Sequence, residues 1–335
     1  MIRVLIPDMP NHVDLLPYLR RMDESRVYVN HGPLVQELEA RLEQITGVPC
    51  VTVSSGTIAL ELALQATEEN MVYVPALTFS ATGLAAQRLG YGVVLFDVNS
   101  DTWQLKPGDI RLSDWNRGVV MPVAAFGCPV DIDQWEGFGF EMPVIIDAAG
   151  AFPAQSVSKD PNITTCFSLH ATKFIGCGEG GFVASNNPEL IAKVRDLSMF
   201  GEDGTNAKMS EYHAAVALAS LDRMGEKHKR THHVAQWYRD SLDSWADVSC
   251  QSTMLNILLP LPAAEVIPKM LAAGIETKQW YRPYLDERTE FGAYQYGRLP
   301  VTDHLRTHLL GLPFHNFLTQ QDVTHVCDTL RSILK

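Results

Sequence analysis

The sequence predicts an α/β protein: a mainly parallel central sheet covered on both faces, followed by a smaller C-terminal α/β unit. Two observations carry this. Short apolar runs alternate with segments of helical periodicity from residue 33 to about residue 200, the pattern of strands joined by crossover helices. In addition, Ser54 to Thr57, Thr78 with Phe79, Asp147 and Lys173 each fall just after an apolar strand run. Ligands in open α/β sheets bind at such carboxyl ends.

Residues 1–32 are mixed, with Pro7, Pro10, Pro17 and a turn-like Asn30-His31-Gly32-Pro33. Pro33 sits where a helix begins. Val35, Leu38, Leu42 and Ile45 follow at helical spacing, and Gly47 ends the element. Val51 to Val53 is a short buried strand. Ser54 to Thr57 then caps a helix from Ile58 to Ala66; such a start either serves the helix alone or also holds a phosphate. Met71 to Pro75 and Val93 to Val98 read as strands around a helix that opens at Leu77 to Thr82 and ends near Gly90. Val119 to Ala125 and Pro143 to Asp147 follow as strands, separated by a helix around Asp131 to Gly137.

The alternating run Thr165 to His170 is a strand that delivers Lys173 into a turn with Gly176, Gly178, Gly180 and Gly181, and Phe182 to Ala184 leaves as a second strand. Glu189 to Phe200 is helical, Gly201 to Asn206 is loop, and Ser210 caps a long helix; an amphipathic helix runs from Lys227 to Leu242. The texture changes at Asp247 to the smaller unit. There Met254 to Leu259 and Ile275 to Thr277 read as strands around a helix from Ala264 to Ala273, and Asp322 to Leu334 is the closing helix.

A chain of 335 residues suits two domains. Its 46% hydrophobic and 20% charged content is that of a soluble globular protein. The net charge of −12 argues against a nucleic-acid surface, which shows as a basic stripe. The six cysteines form no CxxC pair or secreted framework and read as reduced, buried residues. His228 with His232 and His304 with His308 have HxxxH spacing, but lack the glutamate of HExxH and an obvious third ligand, so no metal is expected. No run approaches membrane-spanning length and no signal segment opens the chain; the expected location is the cytoplasm.

The chemistry centres on Lys173. A lysine held in a glycine-rich turn against apolar strands loses hydration and becomes an amine nucleophile. Val144 to Asp147 is a buried strand that ends on a carboxylate, and Ser54 to Thr57 opens a helix. Lysine, aspartate and a helix-start hydroxyl are together what pyridoxal phosphate requires: a Schiff-base amine, an anion against the pyridinium nitrogen, and donors for a phosphate.

From about Tyr28 to the C-terminus the sequence resembles the pyridoxal-phosphate sugar aminotransferases of the DegT/StrS type. The motifs that carry this come in the family's order: Gly32-Pro33, Ser55-Gly56-Thr57, Pro75 with Thr78-Phe79 and Thr82, Asp147-Ala148-Ala149, Phe167-Ser168 with His170 and Lys173, Gly178-Glu179-Gly180-Gly181, Gly204-Thr205-Asn206, Ser210-Glu211, Gly274-Ile275 and Leu312-Pro313. The resemblance implies the aspartate-aminotransferase fold (fold type I), with a large cofactor domain and N-terminal arm at 1–225 and a small domain at 226–335. It implies that Lys173 is the Schiff-base amine, that Asp147 pairs with the pyridinium nitrogen, that Phe79 stacks on the ring, and that Gly56, Thr57 and Ser168 bind the phosphate. Asn206 would reach the partner's cofactor phosphate across a homodimer with shared sites. The implied reaction is amino transfer, with glutamate as donor, to a nucleotide-linked keto-sugar in polysaccharide, lipopolysaccharide or antibiotic sugar biosynthesis.

Each of these residues also has an ordinary reading: Phe79 as core, Ser168 as a strand position, Asn206 as a turn former. Three positions depart from the family pattern. Gly150 stands where His or Gln usually meets the ring hydroxyl, Lys208 where Arg is usual, and Phe174 where Asn is common. A dehydratase of the same family has histidine at the lysine position, which Lys173 opposes. A pyridoxal-phosphate enzyme acting on another substrate, and a non-catalytic sensor of cofactor and sugar nucleotide, are the alternatives. Trp280, Tyr281 and Arg282 are candidate substrate contacts; Arg282 suits a diphosphate or carboxylate through paired bonds, and equally a solvated surface.

Overall fold

The computed structural model describes residues 1–110, 117–138, 142–242, 254–287, 294–295 and 297–335. In chain order its elements are α1 (His12–Ser25), α2 (Pro33–Thr46), β1 (Cys50–Val53), α3 (Gly56–Thr67), β2 (Met71–Pro75), α4 (Ser80–Arg88), β3 (Gly92–Phe96), β4 (Val119–Val120), β5 (Val144–Asp147), β6 (Ile163–Ser168), β7 (Gly181–Ser185), α5 (Pro188–Ser198), α6 (Glu211–Asp222), α7 (Met224–Ser241), β8 (Leu255–Leu258), α8 (Ala263–Ala272), β9 (Tyr294–Gln295), α9 (Pro300–His308), β10 (Leu309–Leu312) and α10 (Gln320–Leu334).

Eight strands form the large sheet in the order β1-β7-β6-β5-β4-β2-β3-β9. Strands β6, β5, β4, β2, β3 and β9 are parallel, and β7 is antiparallel to both of its neighbours. Every residue of β1, β5, β6 and β7 is buried, as strands covered on both faces require. Leu38 of α2 and Leu218 of α6 join Phe167 and Phe182 in the core on one face; Leu60 and Ala63 of α3 join Cys166 and Val183 in the core on the other. A further core gathers Val234 and Tyr238 of α7, Leu255 and Ile257 of β8, Val266 of α8, Leu310 of β10 and Val326 of α10, with Ile2 packed against it. Antiparallel β8 and β10 form its sheet.

Several expectations are corrected. Residues 12–25 form a helix despite Pro17: Asn11 accepts the N–H groups of Val13 and Asp14, and Asp14 caps back to Asn11 N–H. The segment near Asp131 makes only a short 3-10 turn over Ile132–Gln134, seated by Ile132 and Trp135. Ile275 makes an isolated bridge to Ile2 instead of a strand. Helix α9 was not legible because its cap is remote: Asp97, after β3, accepts the N–H groups of Val301 and Thr302 at 2.9 and 2.8 Å. Cys50, Cys166, Cys177 and Cys327 are free and buried, whereas Cys128 is disulfide-bonded, against the expectation of six reduced thiols.

The Gly32-Pro33 and Ser210-Glu211 motifs turn out to be two halves of one cap. Fully buried Glu211 accepts the N–H groups of Leu34 and Val35 at 2.8 and 2.9 Å, at the start of α2. A side chain on Gly32 would begin 2.8 Å from the Glu211 carboxyl carbon, so only glycine admits it. Glu211→Ala leaves two buried amides unpaired and is expected to lower stability by roughly 2–6 kcal/mol, read by denaturant unfolding. A loss under about 1 kcal/mol would show that water replaces the cap.

Among the described residues no helix is long and apolar enough to cross a membrane, and no group of three or more His, Cys, Asp and Glu could hold a metal. His304 and His308 instead stack on one another at 4.3 Å.

Candidate active site

Four strand ends build the site. Strand β5 ends on Asp147, which is 5% exposed. Its Oδ2 accepts from Thr82 Oγ1 at 2.7 Å and its Oδ1 from Ala149 N–H at 3.1 Å. Thr82 in turn lies 2.7 Å from Thr78 Oγ1, so the segment after β2 holds the carboxylate through two hydroxyls one helical turn apart. Burial pushes the Asp147 carboxyl above its usual value; the Thr82 and Ala149 hydrogen bonds and the Lys173 charge only partly oppose this. The carboxylate is thus short of positive charge and suited to a buried cation such as a pyridinium N–H.

Strand β6 ends on Ser168 and the chain turns to Lys173. The turn is closed by Leu169 N–H to Gly180 O and Ala171 N–H to Gly178 O, both 2.8 Å. Buried Lys227 fixes its far side, donating to Phe174 O at 3.1 Å and Ser220 Oγ at 3.0 Å. Lys173 is half-buried, and loss of hydration pulls its pKa below that of a free lysine, with Asp147 opposing. More of it is the neutral amine, the form a nucleophile or base needs.

Helix α3 begins where β6 ends. Ser55 accepts from Ile58 N–H at 3.2 Å, leaving the N–H groups of Gly56 and Thr57 without an intrahelical acceptor. A side chain on Gly56 would begin 2.7 Å from Ser168 Cβ; glycine there lets the helix start approach Ser168 closely. Two N–H groups without an intrahelical acceptor, the Thr57 side chain and a serine hydroxyl at a helix N-terminus are the donor set a phosphate requires, so the residues present fit pyridoxal phosphate at both ends.

Phe79 stands at the N-cap position of α4 and is 59% exposed. Its ring meets Tyr281 edge-on at 6.0 Å, and Tyr281 stacks on Phe126 at 5.0 Å. Burial raises the Tyr281 hydroxyl pKa, and the Asp147 charge adds to that, which places this tyrosine within electrostatic reach of the carboxylate. Trp280 is half-buried and Arg282 exposed. Asn206 stands apart: exposed, bridged to Met199, with Lys208 Nζ donating to its Oδ1 at 2.5 Å. The sequence reading assigned no role to Thr78, Thr82 or Phe126. The i,i+4 threonines after a strand were the available signal for the first two; Phe126 left none.

The profile of the DegT/DnrJ/EryC1/StrS aminotransferase family matches residues 12–331. The chain belongs to that family. This aminotransferase is pyridoxal-phosphate-dependent, as the family is. It is 29% identical to the UDP-2-acetamido-2-deoxy-3-oxo-D-glucuronate aminotransferase of Pseudomonas aeruginosa, over 89% of this chain and 90% of the relative. Among solved structures it is similar to a Bacillus cereus protein assigned as a PLP-dependent aminotransferase, with a TM-score of 0.90, 26% identity and coverage of 98% and 99% of the two chains. It also resembles DesI, solved with its TDP-sugar product, with a TM-score of 0.89, 28% identity and coverage of 98% and 92%.

Proposed function

We propose that this aminotransferase transfers an amino group from glutamate to the ketone of a nucleotide-linked keto-sugar, in the cytoplasm and as a homodimer, on the route to amino-sugar-containing polysaccharide, lipopolysaccharide or antibiotic. The observation that carries the substrate class is near-full-length similarity to an enzyme of a UDP-linked oxo-sugar.

Pyridoxal phosphate supplies an electron sink for the carbanion formed when a proton leaves carbon next to the transferring nitrogen. In the proposed roles, Gly56, Thr57 and Ser168 bind the phosphate, Phe79 covers one ring face and Asp147 faces the ring nitrogen. Lys173 Nζ would hold the group in the resting enzyme and, once displaced from it, would take the α-proton of the amino donor as a neutral amine. The chain divides in function near residue 225, the first part holding the cofactor and residues 226–335 covering the substrate.

Two features support a dimer. Phe200 and Tyr212 are large hydrophobic residues left 66% and 55% exposed, area that a partner subunit would cover. Asn206 is exposed and makes no hydrogen bond to its own chain's Ser168, Lys173 or Asp147 among the described residues, leaving it available to a partner's site.

The test is the visible spectrum of protein loaded with pyridoxal phosphate, before and after glutamate. Glutamate should bleach the lysine-bound band to the pyridoxamine form, and a nucleotide-linked keto-sugar should restore it. A band that glutamate leaves unchanged excludes it as donor. A band restored only by α-keto acids removes the sugar.

A further inference from the structure

Strand β8 is apolar with one exception. Leu255 and Ile257 turn into the core they share with α7 and α10, so Asn256 between them turns to the opposite face. Its antiparallel partner is Gly311, which also bridges Lys278. Leu309 lies on the same face and packs with Leu77, Ala125 and Phe126, residues that follow β2 and β4. Met254, two residues before Asn256, brings its Cε within 4.0 Å of where a side chain on Gly150 would begin. The face bearing Asn256 therefore overlooks the carboxyl ends of the parallel strands, opposite Phe126, Gly127 and Gly150.

Asn256 is 8% exposed, yet neither its Oδ1 nor its Nδ2 has a hydrogen-bond partner among the described residues. A buried amide with both ends unpaired is disfavoured by its lost hydration. Gly127 and Gly150, beyond Met254, carry no side chains, and a side chain on Gly150 would begin 3.4 Å from the Gly127 backbone; on the near side Trp280 lies against Gly311, the cross-strand partner of Asn256. A molecule bound between these walls would supply the missing partners.

We propose that Asn256 reads the hydroxyl groups of the sugar: its N–H donates to, and its carbonyl oxygen accepts from, ring hydroxyls of the hexose in the cleft. Asn256 thereby determines which hydroxyl configuration is accepted. This rests on the keto-sugar reading above. The choice of ligand follows from the inventory of donors. A hydroxyl both donates and accepts, so a neighbouring pair satisfies both ends of the amide. A carboxylate or the cofactor's ring oxygen only accepts, and would leave the amide oxygen unpaired against negative charge.

The experiment uses the holoenzyme and the spectral change to the pyridoxamine form, driven either by glutamate or, in reverse, by UDP- and TDP-linked amino hexoses that differ in one ring hydroxyl. In Asn256→Leu, efficiency with the preferred amino sugar should fall about 10- to 100-fold relative to glutamate, and the preference between epimers should shrink. Asn256→Gln, which moves the same amide outward, should change the preferred epimer or weaken the preference while keeping the glutamate reaction. The melting temperature of Asn256→Leu should hold or rise, since an unpaired amide is removed. Equal losses with glutamate and amino sugar overturn the proposal, because the amide would then serve the cofactor or the carbon common to both. Unchanged epimer discrimination overturns it as well. If unmodified enzyme reacts with glutamate and with no nucleotide-linked amino sugar, the keto-sugar reading fails and this assignment with it, a result visible before any substitution is made.

Discussion

Lys173→Ala is expected to lower turnover by about 10⁴-fold or more, since in the proposed roles it removes both the attaching amine and the general base. The fold should survive. The turn around residue 173 is closed by backbone bonds from Leu169 and Ala171 and by Lys227 on Phe174 O, none of which uses the Lys173 side chain. An amine whose pKa is already lowered by lost hydration does not stabilise its surroundings, so the variant should melt no lower than the parent. It should bind pyridoxal phosphate without the lysine-bound absorption band, because the phosphate cradle and Asp147 remain. Activity within about tenfold of the parent would move the base elsewhere, to His170 or another amine.

The parts of the candidate site whose positions were legible in the sequence are those the sheet places by rule. Asp147, Ser168 and the start of α3 are strand ends or helix starts, and an apolar run followed by a polar residue marks such a place without any knowledge of its neighbours. What joins them was not legible. The Thr82–Asp147 bond spans 65 positions and the Glu211 cap on α2 spans 177, so each half reads alone as an ordinary helix-start residue. Helix α1 was hidden by three prolines, although its Asn11 and Asp14 cap was written locally. Helix α9 starts on Asp97, some 204 positions away, and no window of the sequence contains both. Asn256 left the faintest trace, a single amide in an apolar strand; its meaning depends on the face it takes, and that face is set by register with β10.

Asp147→Asn is the sharpest test of charge, because the fold accepts it with little change. Asparagine can keep its oxygen on Ala149 N–H and turn its amide toward Thr82, whose hydroxyl then donates to Phe79 O, now 3.2 Å away. One hydrogen bond reverses direction and no volume changes. Turnover should nevertheless fall by about 10²- to 10³-fold, since in the proposed arrangement the ring nitrogen would lose the anion that keeps it protonated. The cofactor-free protein should show the opposite sign. Burial raises the Asp147 pKa above the usual carboxylate value, so the folded state binds a proton that the unfolded state has already released. Stability is then highest below the unfolded pKa and falls as pH rises through that value towards the folded one. Asp147→Asn removes this slope, and above that window the cofactor-free variant should be the more stable protein. Thermal unfolding across the acid range, with and without pyridoxal phosphate, measures both effects. A parent and variant with parallel pH profiles would show that Asp147 is already paired with a cation in the free protein. An unchanged turnover would remove the anion from the mechanism.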